Sequence, residues 1–394
     1  MKIAFVSDWH LGLNWGSELE MDSFAQLSQA FEQIKKQDVD LIITTGDLFD
    51  KDKPNNEVYF EAIELLNKVD IPNKLGIKSK DGKLLKIPMI TITGNHEYRG
   101  KDYKSAVQLL EAIGYLKNLH FEHINLGKVS IFGMPSVPDN FAIQIFKKWN
   151  PQPVPGNYNI LLTHQSYMEF FPFDTDEMLS LSNLPSNFDL IVNGHLHWNV
   201  VKELDQGGLF IMPGSTVSTQ NKKLEADKPK GYFLLDTETK DLKFFEIENT
   251  RPVVYIDLKF KKGNVPEIKK EIEEKITEVT SQEYNKKALV RIRLKGDLDK
   301  GYFAKDINIS DFEKRFNNLY LSFSNKLEEI SLKESIDKLK ELNQDKSNLK
   351  EISEKIFFEQ LAQTNFSNKL DAKRLFELLY NKDVDKAKKY ILED

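Results

Sequence analysis

Five short apolar runs in this chain end in the same handful of polar residues, and that repetition constrains the fold more than any other feature. The run at 3–6 leads to Asp8 and His10, the run at 41–43 to Gly46-Asp47, and the run at 89–92 to Gly94-Asn95-His96-Glu97. The run at 160–162 leads to His164, and that at 190–192 to Gly194-His195-Leu196-His197. Alternating with helix-like segments over 24–36, 55–69 and 104–117, they give the pattern of an α/β domain. Open α/β sheets bind ligands beyond the carboxyl ends of their strands. The pattern therefore collects Asp8, Asp47, Asn95 and five histidines on one edge. A single Asn-His pair would be an ordinary turn. The chain, however, has 7 histidines, and only His120 and His123, read as surface or packing residues, stand elsewhere. The glycines at 46, 94 and 194 admit tight turns or close backbone approach, or simply end a strand.

The donor set is oxygen and nitrogen only, because the chain has no cysteine. That excludes disulfides and thiolate metal sites and fits a reducing compartment. Carboxylate, amide and imidazole donors suit manganese, iron or zinc, and there are more of them than one ion needs, so two ions are expected. A length of 394 residues suggests two or three domains, and 40% hydrophobic with 29% charged residues is a globular balance. The first strand-like run opens at Lys2, so no secretory leader is expected, and no apolar run reaches membrane-spanning length. A net charge of -6 does not advertise a general nucleic-acid binder, so any DNA contact must be local. Lysine outnumbers arginine, so phosphate contacts would be point charges, and the lysine-rich stretch at 259–262 reads as a solvated face.

Later apolar runs at 129–132, 209–211 and 232–235 lie closer together, as paired strands do. A second, small α+β unit begins near Arg251: 253–258 alternates as a strand, Pro266 opens a helix running to 280, and 288–294 alternates again. There Arg291 and Arg293 share one face, with Val290, Ile292 and Leu294 on the other. From about Asn325 the chain turns charged and helical. The expected domains are 1–250, 251–325 and 326–394, the last holding a spacer at 333–350 and two apolar-striped segments. One segment carries Ile352, Ile356, Phe357 and Leu361; the other carries Leu375, Phe376, Leu378 and Leu379. In the helix at 55–69, Val58, Ala62, Leu65 and Val69 form one stripe and Tyr59, Ile63 and Leu66 a second, which offers a face for a second copy of the chain.

Asp8-Trp9-His10, Gly46-Asp47, Gly94-Asn95-His96-Glu97, His164 and Gly194-His195-Leu196-His197, in this order, resemble the calcineurin-like metallophosphoesterase superfamily over roughly the first 250 residues. The resemblance implies an α/β sandwich of two mixed sheets flanked by helices. It also implies two divalent metal ions, one held by Asp8, His10 and His197, the other by Asn95, His164 and His195, with Asp47 bridging. His96 would orient or protonate the leaving oxygen, with Glu97 behind the ligands. Protein Ser/Thr phosphatases of this superfamily carry arginines where this chain has Thr93 and Lys51, so the monoester grip is missing. Asp8-Trp9-His10-Leu11-Gly12, the segment from Gly46 to Asp50 with Pro54, His164-Gln165 and Pro213-Gly214-Ser215-Thr216 are similar to nuclease subunits of SbcCD-type DNA double-strand-break repair complexes. Their order of phosphoesterase, cap and helical tail matches this chain. That similarity implies a manganese-dependent exonuclease and endonuclease acting on DNA ends, homodimeric, docked through C-terminal helices on a structural-maintenance-of-chromosomes-like ATPase, and cytoplasmic with the nucleoid. Asp50 stands where some relatives have a histidine tied to exonuclease action. The competing readings are a small-molecule or cyclic-nucleotide phosphodiesterase on the same scaffold, or a DNA-end-tethering subunit with little catalysis.

Overall fold

The computed structural model describes residues 1–98, 103–171, 178–219 and 223–329, and, further on, 353–354, 356–358, 361, 371–381 and 383–393. They form two compact units, one made of Met1–Ile256, Glu278–Arg291 and Arg315–Ser322, the other of Asp257–Thr277, Ile292–Lys314 and Phe323–Asp394.

In chain order the strands of the first unit are β1 (Lys2–Phe5), β2 (Leu41–Thr44), β3 (Met89–Thr91), β4 (Lys117–Asn118), β5 (Glu122–Leu126) and β6 (Val129–Gly133). There follow β7 (Tyr158–Thr163), β8 (Leu190–Asn193), β9 (Val200–Glu203), β10 (Leu209–Met212), β11 (Gly231–Asp236) and β12 (Asp241–Glu246). One sheet has the order β12-β11-β1-β2-β3-β4, the other β5-β6-β7-β8-β10-β9. Strands β1 to β4 are parallel, as are β6, β7, β8 and β10, and antiparallel neighbours complete each sheet. Both sheets are therefore mixed, and the fold is α/β with helices α1 (Asp22–Lys35), α2 (Asn56–Asn67), α3 (Ala106–Ala112) and α4 (Asp139–Trp149).

The middle positions of the central strands are apolar because both faces of each sheet are covered. Ile3, Phe5, Leu41, Ile43, Ile90 and Ile92 pack with Ile160, Leu162, Leu190 and Val192 in the layer between the sheets. Ala4, Val6 and Ile42 turn the other way, into a layer with Leu27, Phe31 and Ile34 of α1 and Val58, Ala62 and Leu65 of α2. The second sheet has its own outer layer, where Phe132, Leu161 and Ile191 meet Ala142 and Phe146 of α4. Asn55 starts α2 by accepting from Val58 N at 2.8 Å, and Ser105 starts α3 through a reciprocal capping box with Gln108. The helix expected over 104–117 stops at Ala112: Gly114 turns at φ 86, and the chain continues into β4.

The second unit contains α6 (Val265–Thr280) up to Thr277, and α5 (Lys223–Ala226) of the first unit precedes it in the chain. Ile268, Ile272 and Ile276 of α6 recur at helical spacing and are buried. A three-stranded sheet has the order β13-β14-β15, with β13 (Val253–Gly263), β14 (Leu289–Leu298) and β15 (Tyr320–Glu329). On β14, Val290, Ile292 and Leu294 are buried, while Arg293 on the opposite face forks onto Asp257 at 3.0 and 2.7 Å. Strand β15 runs to Glu329, past the point near Asn325 where the sequence turns helical in character. Helix α7 (Ile309–Arg315) precedes it, and α8 (Ala372–Tyr380) and α9 (Val384–Glu393) follow. Asp371 caps α8, and the Phe376 ring packs 5.6 Å from that of Phe357. The expected spacer at 333–350 and Ile352 lie outside the described residues.

Candidate metal centre

The parallel strands β1, β2, β3, β7 and β8 all deliver a polar side chain at their carboxyl ends, and these converge. Asp8, His10, Asp47 and His197 form one cluster of donor atoms within 4.8 Å of one another; Asp47, His164 and His195 form a second that shares Asp47. Asn95 joins the second, its Oδ1 lying 2.9 Å from both His164 Nε2 and His195 Nδ1. His10 Nε2 and His197 Nε2 face each other at 3.2 Å.

Local backbone geometry makes this convergence possible. Asp8, His10, Asp47 and His195 all take left-handed φ values, at 50, 46, 50 and 77°, a conformation that costs energy and persists only where the surroundings enforce it. Trp9 supplies one such anchor: fully buried between Asp8 and His10, its ring meets Phe31 edge-on at 5.6 Å and its Nε1 donates to Val6 O at 3.0 Å. Glu97 supplies another, accepting from Asp47 N at 3.1 Å, Phe49 N at 3.0 Å and Gly94 N at 2.9 Å. Glu97 thus ties two strand-end loops together and does not orient the His96 ring. At Gly94 a Cβ would fall 2.2 Å from Asp47 Oδ1, and at Gly194 one would fall 2.6 Å from Thr45 O, so only glycine lets these loops touch.

Each imidazole is also held from behind, as metal-binding histidines are. His164 Nδ1 donates to Thr45 O at 2.6 Å, His195 Nε2 meets Ser166 Oγ at 3.2 Å, and His197 Nδ1 meets Thr219 Oγ1. His10 Nδ1 faces Asp50 Oδ1 at 3.5 Å. His96 Nδ1 donates to Asp50 O at 2.6 Å, and its ring stands edge-on to that of His10. Sequence reasoning identified the donors but not Thr45, Ser166, Thr219 or the part Asp50 plays toward His10. A cavity of about 250 Å³ opens beside Asn95, His164 and His195 and is bounded by Tyr98, Pro138, Asp139 and Ser166.

The electrostatics are those of a cluster built for cations. Asp8 Oδ2 is buried without a hydrogen-bond partner, a state that carries a desolvation penalty, and the buried Asp47 Oδ2 has His164 Nε2 at 3.3 Å and no closer donor. Burial raises the Asp8 carboxyl to about 6 and the Glu97 carboxyl to about 7, with the Asp47 charge adding to the latter. Burial also works against the charge of Asp47, but His164, His10 and His96 outweigh it and hold that carboxyl well below the usual range. For His164, burial is outweighed by Asp47 and the imidazole rises to about 9. Burial and the neighbouring His164 lower His195 to about 4. Buried carboxylate oxygens facing crowded imidazole nitrogens, with no thiolate among them, fit a dinuclear metal site.

Residues 1–199 match the family described as calcineurin-like phosphoesterase. The chain belongs to that family, and it is a metal-dependent phosphoesterase. Among curated proteins it is 27% identical over 285 residues to the DNA double-strand break repair protein Mre11 of Saccharolobus solfataricus, covering 69% of this chain and 68% of that one. It is 27% identical over 308 residues to the protein of the same name from Sulfolobus acidocaldarius, covering 75% of each. The Mre11 of Sulfurisphaera tokodaii is 30% identical over 236 residues, 58% of this chain and 57% of its own.

Proposed function

We propose that this chain is a dinuclear-metal-dependent DNA nuclease, an exonuclease and endonuclease that processes DNA ends in double-strand-break repair, with manganese as its working ion. The observation that carries the reading is the pair of donor clusters that share the buried Asp47, one with Asp8, His10 and His197, the other with His164, His195 and the adjoining Asn95. In this reading Asp8, His10 and His197 hold one ion, Asn95, His164 and His195 the other, and Asp47 both. When bound, the ions supply Lewis-acid polarisation of a phosphodiester and neutralise the charge that builds during displacement at phosphorus. His96 contributes the proton: with Nδ1 committed to Asp50 O, Nε2 is the nitrogen that can hand one to the departing oxygen. The backbone N–H of His96 donates to Asp47 Oδ1 at 2.9 Å, which couples the acid's position to the shared carboxylate. Thr93 and Lys51 replace the arginines of a monoester grip, which favours a diester. The similarity to the Mre11 proteins over about two thirds of the chain favours DNA as that diester.

The same reading divides the chain into a nuclease domain at 1–250, a cap at 251–325 and a tail at 326–394 that docks an ATPase partner, with the nuclease working as a homodimer in the cytoplasm. Exposed Leu379, Tyr380, Val384 and Ile391 on α8 and α9 support a docking role for the tail. Among the described residues no helix is long and apolar enough to cross a membrane.

The test is cleavage of blunt duplex, hairpin and single-stranded DNA with manganese, beside a chromogenic phosphodiester. His96→Ala is expected to abolish cleavage with metal content near wild type, and Asp47→Ala to lose metal as well. Wild-type cutting by Asp47→Ala would overturn the shared-carboxylate assignment. Turnover of the chromogenic diester without any DNA cleavage would instead favour a small-molecule phosphodiesterase.

A further inference from the structure

Behind His197 lies a buried charged pair that the proposed chemistry does not use. Lys230 is half of it, and its ammonium spends three N–H bonds inside the protein: on Glu225 Oε1 at 2.8 Å, Ser215 Oγ at 2.8 Å and His197 O at 2.9 Å. Glu225 is 3% exposed. Its Oε1 also accepts from Thr219 N at 2.7 Å and lies 3.3 Å from Thr219 Oγ1. Thr219 Oγ1 in turn contacts His197 Nδ1.

The contacts fit a chain with a direction. A carboxylate only accepts, so where the Thr219 hydroxyl gives its proton to Glu225 it accepts from the imidazole. With that direction His197 carries its proton on Nδ1 and turns the lone pair of Nε2 toward His10 and the metal cluster. The other outer partners are a backbone carbonyl at His164, a serine hydroxyl at His195 and a carboxylate at His10. At His197 a hydroxyl stands between carboxylate and ring, and the carboxylate is held by a buried ammonium. A buried ion pair is weak evidence for stability, because well-packed apolar residues often do as well, so its value here lies in position.

We propose that Lys230, Glu225 and Thr219 act as a relay of positioning residues that fixes the ring orientation and tautomer of His197 and thereby tunes one of the two ion sites. This rests on the assignment of His197 as a metal ligand, and the experiment separates the two ideas. Metal-free protein is titrated with manganese and followed by calorimetry and electron paramagnetic resonance, with thermal melting recorded before metal is added. Thr219→Val removes the hydroxyl at nearly constant volume, and it is expected to weaken one manganese site by about 10–100-fold while the other site and the metal-free melting temperature stay near wild type. Thr219→Ser restores the hydroxyl and the affinity. If Thr219→Val does not fold, the double variant Glu225→Gln with Lys230→Met carries the same expectation. Two wild-type affinities in a folded variant overturn the relay; a wild-type protein that binds no manganese overturns the metal assignment itself.

Discussion

At Glu97, two carboxylate oxygens receive three backbone N–H groups from Asp47, Phe49 and Gly94. Glu97→Gln puts an amide NH₂ where at least one of those donors points, so a buried donor loses its acceptor. The expected cost is about 1–3 kcal/mol, read as a lower denaturant midpoint, and a variant as stable as wild type would refute this account of Glu97. Gly94→Ala meets Asp47 Oδ1 head-on; it should cost about 1–3 kcal/mol through overpacking and, by displacing Asp47, deplete metal content in elemental analysis. The residues of the cluster were legible in the sequence because each directly follows an apolar strand. Thr219, Glu225 and Lys230 were not, since threonine, glutamate and lysine at such positions are ordinary surface types, and only distances in space reveal their connection to His197.

Helices α2 and α3 show where periodicity alone misleads. Of the second stripe expected on α2, Leu66 is buried in the unit's own core, Tyr59 packs on Phe49 at 5.3 Å, and Ile63 is partly covered. The residue left outside is Phe60, 60% exposed, with Leu109 at 43% on α3 and Ile113 at 40% just past its end. If these helices join two copies of the chain, Phe60→Glu should give a folded monomer in light scattering, with Ile63→Glu weaker; two folded variants that remain dimeric would remove this interface. Helix α4 escaped sequence reasoning because Phe141, Ile143 and Ile145 mix strand-like alternation into a helical stretch. Strands β9 and β12 escaped because edge strands carry lysines that interrupt the apolar run. The strand β15 also changes an experiment: a truncation meant to remove the tail should fall after Glu329, not Asn325, so that the sheet stays whole. That shortened protein is expected to keep its metal and its melting temperature while no longer co-purifying with an ATPase partner; aggregation would instead show that the tail belongs to the folded core.

For the molecule as a whole, metal and pH act through the same groups. Asp8, Glu97 and His164 have folded-state values raised to about 6, 7 and 9. Groups raised in this way contribute stability that is fully present below their unfolded values and is lost as pH rises through the folded ones. Asp47, shifted downward, contributes above the ordinary carboxylate range and loses its share only in acid. Metal-free protein should therefore melt at progressively lower temperature from about pH 6 to pH 9. Ions bind the deprotonated ligands, so the rise in melting temperature on adding manganese should grow over the same interval. Calorimetric scans with and without chelator check this, and a metal-induced shift that shrinks with pH would contradict it.

The hydrogen bond from His195 N to Asp8 Oδ1 joins residues 187 positions apart. Chain synthesis runs at about 5–20 residues per second, so the first strand waits on the order of ten seconds or more before its partner leaves the ribosome. Until then Asp8 and His10 have Asp47, Asn95 and His164 for company but neither His195 nor His197, and neither donor cluster is complete. During synthesis the full donor set is therefore expected only after His197 has emerged, so metal uptake cannot guide the unit's first steps. Nascent chains halted before His195 should be metal-poor and sensitive to protease however much manganese surrounds them.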